Sequence, residues 1–215
     1  MIGTVEVICG SMYSGKTEEL LRRLRRAGYG RLRYQVFKPA LDNRYCEAHV
    51  QSHDASRIPS IVVQQAWDII DQVKDNTRIV GIDEVQFFED SVVEVSQKLA
   101  NRGIRVIVAG LDMDYRGEPF GPMPKLLAIA ESVCKLSAIC VLCGAPATRS
   151  QRILAAPPEE DENESKKTIL VGGKESYEAR CRFCHEPKVI SKPLHGFNSP
   201  IHQEMPREQA SFTQQ

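Results

Sequence analysis

Short apolar runs alternate with segments of helical spacing along the first 137 residues. The runs that predict strands are 4–9, 34–37, 78–82 and 105–111. The segments in which apolar residues recur at helical spacing are 16–27, 66–73, 91–101 and 125–133. Gly28 is predicted to close the first of these helices, and Ser91 to cap the third. Alternating strands and helices predict an α/β fold with a parallel sheet and right-handed crossovers.

Two polar stretches interrupt this pattern. Residues 40–57 are predicted to form an irregular loop before a short apolar run at 61–63, and the acidic insert 157–167 is predicted to be a mobile loop. The character of the chain changes near Cys134, so we predict an α/β domain over 1–137 and a small second domain over 138–192. Residues 193–215 have little apolar content and are predicted to be mostly disordered.

Charge and composition exclude several classes of protein. The 215 residues carry 28 Lys and Arg against 28 Asp and Glu, so the net charge is zero and gives no general attraction to nucleic acid. No apolar run approaches the length of a transmembrane helix, and the first residues lack the features of a secretory signal. We therefore expect a cytoplasmic protein with no membrane and no nucleic-acid partner. An arginine cluster over 22–33 is interpreted as a solvated or subunit-pairing face, with a phosphate or nucleic-acid patch as the alternative.

A phosphate-binding loop follows the first predicted strand and precedes the first predicted helix, and its sequence GSMYSGKT fits G-x-x-x-x-G-K-[ST] in full. Its glycines allow backbone N–H groups to surround a phosphate. Lys16 is predicted to reach the β- and γ-phosphates of ATP, and Thr17 to offer its hydroxyl to Mg²⁺. The residues predicted to bind nucleotide are Gly10, Ser11, Met12, Tyr13, Ser14, Gly15, Lys16 and Thr17.

Two carboxylates end the third predicted strand. In proteins with this loop, an acidic residue in the position of Asp83 belongs to the magnesium site. Glu84 follows at the carboxyl edge of the sheet, where ligands bind, and could accept a proton from an attacking hydroxyl.

Two C-x-x-C pairs indicate a metal site in the second domain. Each pair directs two thiolates to one point, and two pairs complete the closed tetrahedral set of structural zinc. The predicted ligands are Cys140, Cys143, Cys181 and Cys184. His185 is an alternative to Cys184, which we prefer because it keeps the two-residue spacing. Three other cysteines are interpreted as small buried residues, namely Cys9, Cys46 and Cys134.

The combination of motifs closely resembles the zinc-containing, human-cytosolic-like (type II) thymidine kinases. The motifs that carry the resemblance, beside the loop and the cysteine pairs, are FKPALDNRY (37–45), SHD (52–54), DEVQFF (83–88), GLDMDYRGEPFG (110–121) and GGKESYEARC (172–181). The resemblance implies a RecA-like P-loop fold with helices on both faces of the sheet, and a small C-terminal zinc-ribbon domain with a lasso loop. It also implies ATP-dependent phosphorylation of the thymidine 5′-hydroxyl in nucleotide salvage for DNA synthesis, a homotetramer, and feedback inhibition by dTTP.

The same resemblance assigns roles to individual residues. Glu84 corresponds to the catalytic base, with Lys16 and Arg44 as the other catalytic residues, and Asp83, Thr17 and Asp42 correspond to positions near Mg²⁺. The residues that correspond to the nucleoside pocket and its lasso lid are Met12, Phe87, Leu111, Tyr115, Phe120, Thr148, Val171 and Tyr177.

Two other functions fit some of these motifs. A nucleic-acid motor ATPase would also have a phosphate-binding loop, an Asp-Glu pair and a zinc ribbon, but this chain lacks a second RecA-like domain and a basic balance. A non-catalytic zinc-ribbon module would have no use for Glu84.

Overall fold

The structure is a computed structural model, and it describes residues 3–40, 49–51, 57–154, 176–188 and 190–191. The helices are α1 (Lys16–Tyr29), α2 (Trp67–Gln72), α3 (Ser91–Asn101) and α4 (Met123–Ile129), with a 3-10 turn at Val85–Phe87. The strands of the first part of the chain are β1 (Thr4–Gly10), β2 (Tyr34–Pro39), β3 (His49–Gln51), β4 (Arg57–Pro59), β5 (Ile61–Val63), β6 (Ile79–Ile82), β7 (Arg105–Gly110) and β8 (Ser132–Leu136). Those that follow are β9 (Ala138–Ile139), β10 (Pro146–Ala147), β11 (Arg149–Leu154), β12 (Tyr177–Arg180) and β13 (Ile190–Ser191).

A six-stranded parallel sheet forms the centre of the molecule, in the order β5-β2-β6-β7-β1-β8. Successive side chains of a strand point to opposite faces, so neighbours in β1 enter different cores. Ile8 packs with the buried leucines of α1, whereas Val7 packs with the core that contains α2, α3 and α4. Helices therefore cover both faces, and the predicted parallel α/β fold is confirmed.

Two predicted helix caps, Gly28 and Ser91, differ from the structure. Gly28 lies inside α1, which continues to Tyr29, and the backbone N–H of Gly30 closes the helix by donating to the Arg26 carbonyl. Ser91 is the first residue of α3 rather than its cap, and the preceding Asp90 makes no side-chain capping bond.

The prediction of a helix over 125–133 was wrong at its C-terminal end, because α4 stops at Ile129 and β8 begins at Ser132. β8 is an edge strand with mostly exposed side chains, so it lacks the apolar run that marked the inner strands. The prediction of a loop over 40–57 was also too simple, since β3 and β4 pair as antiparallel strands. Among the described residues, no helix is long and apolar enough to cross a bilayer.

Residues beyond β8 build a smaller unit of antiparallel β9 and β10 beside a sheet in the order β12-β11-β13. Its core contains Cys140, Cys181 and Cys184 together with small alanines, and Tyr13 of the phosphate-binding loop packs against it. The exact domain boundaries stay a prediction. The acidic insert 157–167 and the tail 193–215 lie outside the described residues, as does Cys46.

Candidate functional site

The phosphate-binding loop connects β1, which lies between β7 and the edge strand β8, to α1. Its backbone uses conformations that ordinary residues avoid, with φ values of 142° at Gly10, 64° at Tyr13 and 83° at Gly15. A Cβ on Gly10 would lie 2.3 Å from the Leu136 carbonyl oxygen, so only glycine fits where β1 leaves the sheet. The loop thus has the tight turn that a phosphate cradle requires.

Lys16 begins α1 and turns back across the loop. Its Nζ donates to the Ser11 carbonyl oxygen at 2.8 Å. Burial lowers the pKa of Lys16, while the nearby carboxylates of Glu84 and Asp83 oppose that shift. A half-buried cation at the start of α1, beside the turn of the loop, is suited to bind the negative charge of a nucleotide phosphate.

Asp83 follows β6 and meets the phosphate-binding loop from the neighbouring part of the sheet edge. One of its oxygens, Oδ2, accepts from the Thr17 hydroxyl at 3.3 Å, and the other accepts from the Glu84 backbone N–H at 3.0 Å. Burial and then the charge of Glu84 raise the pKa of Asp83 to about 7, against the opposing effect of Lys16. A hydroxyl and a carboxylate in contact form an oxygen donor pair that fits Mg²⁺.

Glu84 has a left-handed backbone, with φ 52° and ψ 37°. Among the described non-glycine residues, only Tyr13, Arg31 and Glu84 have positive φ, and two of these three belong to this site. Such backbone strain beside a nucleotide loop is typical of functional residues. The Gln86 carboxamide donates to Glu84 Oε2 at 2.6 Å, an interaction that the sequence analysis missed.

Several residues of the predicted nucleoside pocket lie close to this edge of the sheet. The rings of Phe87 and Phe120 pack edge to face, with centroids 5.6 Å apart. Leu111 directly follows β7, and its backbone N–H donates to the Gln86 carboxamide oxygen at 3.0 Å. The structure therefore brings together residues from the ends of β6 and β7 and from the loop before α4.

Tyr115 contacts the smaller unit through its ring. The Arg152 guanidinium lies 5.4 Å from the ring centroid and is fully buried. Sequence reasoning missed Arg152, because the segment around it carries no signal of burial. Thr148 accepts from the Arg149 guanidinium at 3.4 Å. Three other predicted site residues, Asp42, Arg44 and Val171, lie outside the described residues.

Three successive residues of the phosphate-binding loop form hydrogen bonds to the smaller unit. The Ser11 hydroxyl donates to the Ala147 carbonyl at 2.9 Å, and the Met12 N–H donates to the Ser150 hydroxyl at 3.0 Å. The Tyr13 hydroxyl donates to the carbonyl of Tyr177 at 3.2 Å. The loop is therefore held on one side by the sheet and on the other by β10, β11 and β12.

Four cysteines of the smaller unit form a compact cluster, with all four sulfurs within 4.8 Å of one another, and its members are Cys140, Cys143, Cys181 and Cys184. The Cys143 and Cys181 sulfurs are 3.6 Å apart, near the roughly 3.8 Å spacing around a tetrahedral zinc ion. Burial raises the pKa of Cys140, but backbone N–H groups outweigh it and bring that pKa to about 6. The close spacing of four cysteine sulfurs is the arrangement that a tetrahedral zinc ion requires, so these residues could hold zinc.

His185 does not compete with Cys184 for that cluster. Its Nε2 lies 2.8 Å from the Tyr115 carbonyl oxygen, so the imidazole connects the smaller unit to the loop that carries Tyr115. The preference for Cys184 agrees with the observed cluster. Of the other cysteines, Cys9 is buried and Cys134 is half-buried.

Comparison with known proteins gives a family. A family model described as thymidine kinase matches residues 3–185. Among solved structures, the chain is similar to the ATPase DotB of Legionella pneumophila, with 14% sequence identity and a TM-score of 0.37. That alignment covers 60% of this chain and 35% of the DotB chain.

Proposed function

The chain belongs to the thymidine kinase family, and from that premise we propose that it transfers the γ-phosphoryl group of ATP to the thymidine 5′-hydroxyl. The products are dTMP and ADP. The observation that carries this proposal is the placement of Glu84 beside Asp83 and Lys16, at the edge of the sheet from which the phosphate-binding loop emerges. A nucleotide cradle and a proton acceptor are thereby close enough to act on one phosphoryl group and one hydroxyl.

Each residue of the cradle has a role that follows from its chemistry. Lys16 neutralises charge on the β- and γ-phosphates, and backbone N–H groups of residues 10–17 hold their oxygens. Thr17 and Asp83 would hold Mg²⁺, which supplies further charge neutralisation when bound. Glu84 accepts the proton of the 5′-hydroxyl as the oxygen attacks phosphorus. Asp42 and Arg44 are proposed to complete the metal and phosphate surroundings.

The nucleoside is proposed to bind between aromatic and apolar walls. Flat side chains suit a pyrimidine ring, and a closing lid would exclude water that could otherwise take the phosphoryl group. The proposed pocket consists of Met12, Phe87, Leu111, Tyr115, Phe120, Thr148, Val171 and Tyr177. Four cysteine ligands leave zinc no open position, so the metal would stabilise the fold of the smaller unit rather than take part in chemistry.

Three further properties are proposed from the resemblance to zinc-containing thymidine kinases. The chain would assemble as a homotetramer, dTTP would inhibit it as the end product, and it would serve nucleotide salvage for DNA synthesis in the cytoplasm. Native mass spectrometry tests the first property, and inhibition by dTTP at fixed ATP and thymidine tests the second.

The role of Glu84 is tested by Glu84→Gln. Removal of a general base typically costs about 10²- to 10⁴-fold in turnover, so we expect a loss of that size in kcat with ATP binding retained. Glu89→Gln serves as the matched control, because Glu89 is an exposed carboxylate nearby in sequence. Near-normal turnover by Glu84→Gln would contradict the assignment.

The reaction itself is tested by a coupled assay of ADP release with ATP–Mg²⁺ and a panel of nucleosides. Thymidine-dependent release, with a 5′-monophosphate as product, is the expected result. Release that ignores every nucleoside but rises with single-stranded DNA would instead indicate the motor ATPase.

A further inference from the structure

Gln86 is a buried polar residue two positions beyond the proposed base, and only 2% of it is exposed. Its carboxamide makes two hydrogen bonds, donating to Glu84 Oε2 at 2.6 Å and accepting from the Leu111 N–H at 3.0 Å. The orientation of the amide follows from its partners, because a backbone N–H can only donate and an ionised carboxylate can only accept. Gln86 therefore bridges the chain after β6 and the chain after β7.

Two glycines enclose this carboxamide and its backbone. A Cβ on Gly110 would lie 2.6 Å from Gln86 Oε1 and 2.8 Å from a methyl group of Val85. A Cβ on Gly121 would lie 2.4 Å from the Gln86 carbonyl oxygen. Since both approaches exclude any side chain, the surrounding backbone is shaped around Gln86 and leaves it little freedom to move.

Glu84 needs an external contact of this kind. Its left-handed backbone, at φ 52°, is unfavourable for a residue with a side chain. This backbone conformation does not by itself fix the direction of the carboxylate. A charged hydrogen bond to a rigid, buried amide fixes one oxygen of the carboxylate. The other oxygen, Oε1, is then directed by the rigid carboxylate plane.

We propose that Gln86 is a positioning residue for the proton-accepting carboxylate of Glu84, holding Oε2 so that Oε1 faces the substrate hydroxyl. This inference rests on the proposed function of Glu84 as the base. With only 2% of it exposed, Gln86 has almost no surface to offer to ATP or thymidine, and it would act through its hydrogen bond to Glu84. Its loss should therefore slow the chemical step while leaving nucleotide binding nearly unchanged.

The test is a double-mutant cycle with Gln86→Met, which keeps the length of the side chain but removes both hydrogen bonds. We expect kcat to fall about 10- to 100-fold, the usual effect of losing a hydrogen bond to a charged group. The KM for ATP and the dissociation constant of an ATP analogue should change by less than about twofold. In the Glu84→Gln background, Gln86→Met should lower kcat by less than about twofold, because the carboxylate that Gln86 positions is already absent.

Gln35→Met is the matched control. Gln35 also links neighbouring backbone, accepting from the Lys74 N–H at 2.8 Å and donating to the Gln72 carbonyl at 3.0 Å, but it lies near the opposite end of the sheet. Its loss should affect stability and leave kcat within about twofold. If Gln86→Met does not fold, Gln86→Ala enters the same cycle, with analogue binding as the check that the site is intact.

The failures of the two proposals are distinguishable. Wild-type kcat in Gln86→Met beside an inactive Glu84→Gln would overturn the positioning role and leave the base in place. An equal loss from Gln86→Met in both backgrounds would show that Gln86 acts independently of Glu84 and would also overturn it. Normal turnover in both Glu84→Gln and Gln86→Met would contradict the assignment of Glu84 as the base, and with it the positioning role of Gln86.

Discussion

At the scale of single residues, the site depends on backbone conformations that only certain side chains allow. Gly10 combines φ 142° with a carbonyl oxygen 2.3 Å from where a Cβ would stand. Gly28, inside α1, has only the Tyr34 ring at an ordinary 3.6 Å. There is thus no room for a Cβ at Gly10, whereas there is room for one at Gly28. Alanine should therefore have opposite effects on stability at these two positions.

Gly10→Ala is expected to lower the free energy of unfolding by about 2 kcal/mol or more and to abolish binding of an ATP analogue, because the loop cannot keep its turn. Gly28→Ala should instead raise the free energy of unfolding by about 0.5 kcal/mol through the better helix propensity of alanine. Urea denaturation and analogue titration measure both. Equal stability of the two variants would contradict the close contact at Gly10.

Among the proposed site residues, sequence alone predicted those whose chemistry follows from a local motif. Lys16, Thr17 and Asp83 follow from spacing, since a phosphate loop and a carboxylate after a strand need no knowledge of distant contacts. Gln86 and Arg152 were missed because their contacts are with residues far away in the sequence or depend on how the chain folds. Gln86 is a single polar residue in an apolar stretch, and the sequence does not show that its side chain forms hydrogen bonds with Glu84 and Leu111.

At the scale of elements, ion pairs join α1 to two strands of the sheet. Glu6 in β1 accepts from Arg105 in β7 and from Arg23 in α1, with the Arg23 contact at 2.6 Å. Glu19 in α1 pairs with Arg23 at 2.8 Å and with Arg22. Part of the arginine cluster that the sequence displayed is thus used inside the chain, rather than as a patch for phosphate.

This network gives a prediction about acid stability. Hydrogen bonds from Arg22 and Arg23 lower the pKa of Glu19 to about 2 despite its partial burial. A lowered pKa in the folded state means stability that is present above the unfolded pKa and lost as the pH falls through the folded one. Glu19→Gln should therefore cost about 1 kcal/mol at pH 7, and the difference from the unmodified chain should vanish between about pH 4.5 and pH 2.

Denaturation at a series of pH values measures that difference. Glu94→Gln is the control, because its pair with Lys98 is exposed on both sides and should contribute under about 0.5 kcal/mol at any pH. A Glu19→Gln effect that persists unchanged at pH 2 would contradict the ionic origin.

The sequence predicted the inner strands of the sheet better than its edge strand β8, for a physical reason. Inner strands such as β6 are buried on every residue and stand out as apolar runs. The edge strand β8 has polar and exposed positions, so its sequence gives no such signal and helical spacing was extended into it. The residues of β8 are a strand because they pair with β1, and their own composition does not indicate this pairing.

At the scale of the whole molecule, the smaller unit and the phosphate-binding loop are joined by hydrogen bonds, so a change in one should affect the other. The hydrogen bonds from Ser11, Met12 and Tyr13 reach β10, β11 and β12, and the cysteine cluster joins the segment between β9 and β10 to the segment after β12. Metal removal is thus expected to release the loop, although no cysteine of the cluster belongs to the proposed phosphate site.

Chelation of zinc should accelerate hydrogen exchange at the backbone amide of Met12 and weaken binding of an ATP analogue several-fold, while far-UV circular dichroism still shows the sheet. Ser150→Ala, which removes the acceptor of Met12 without touching a cysteine, should reproduce the faster exchange at Met12 in the zinc-loaded protein. Complete zinc release with unchanged exchange at residues 11–13 would contradict the coupling.

The strand order also bears on how the chain is made. β1 (Thr4–Gly10) precedes the other strands of the sheet, yet its neighbours are β7 (Arg105–Gly110) and β8 (Ser132–Leu136), which are far away along the chain. While the ribosome is still adding β2 to β6, β1 has no strand to pair with, and its apolar residues must be kept from other contacts. The nucleotide loop is therefore translated well before β7 and β8, but it takes its shape only after these strands have paired with β1.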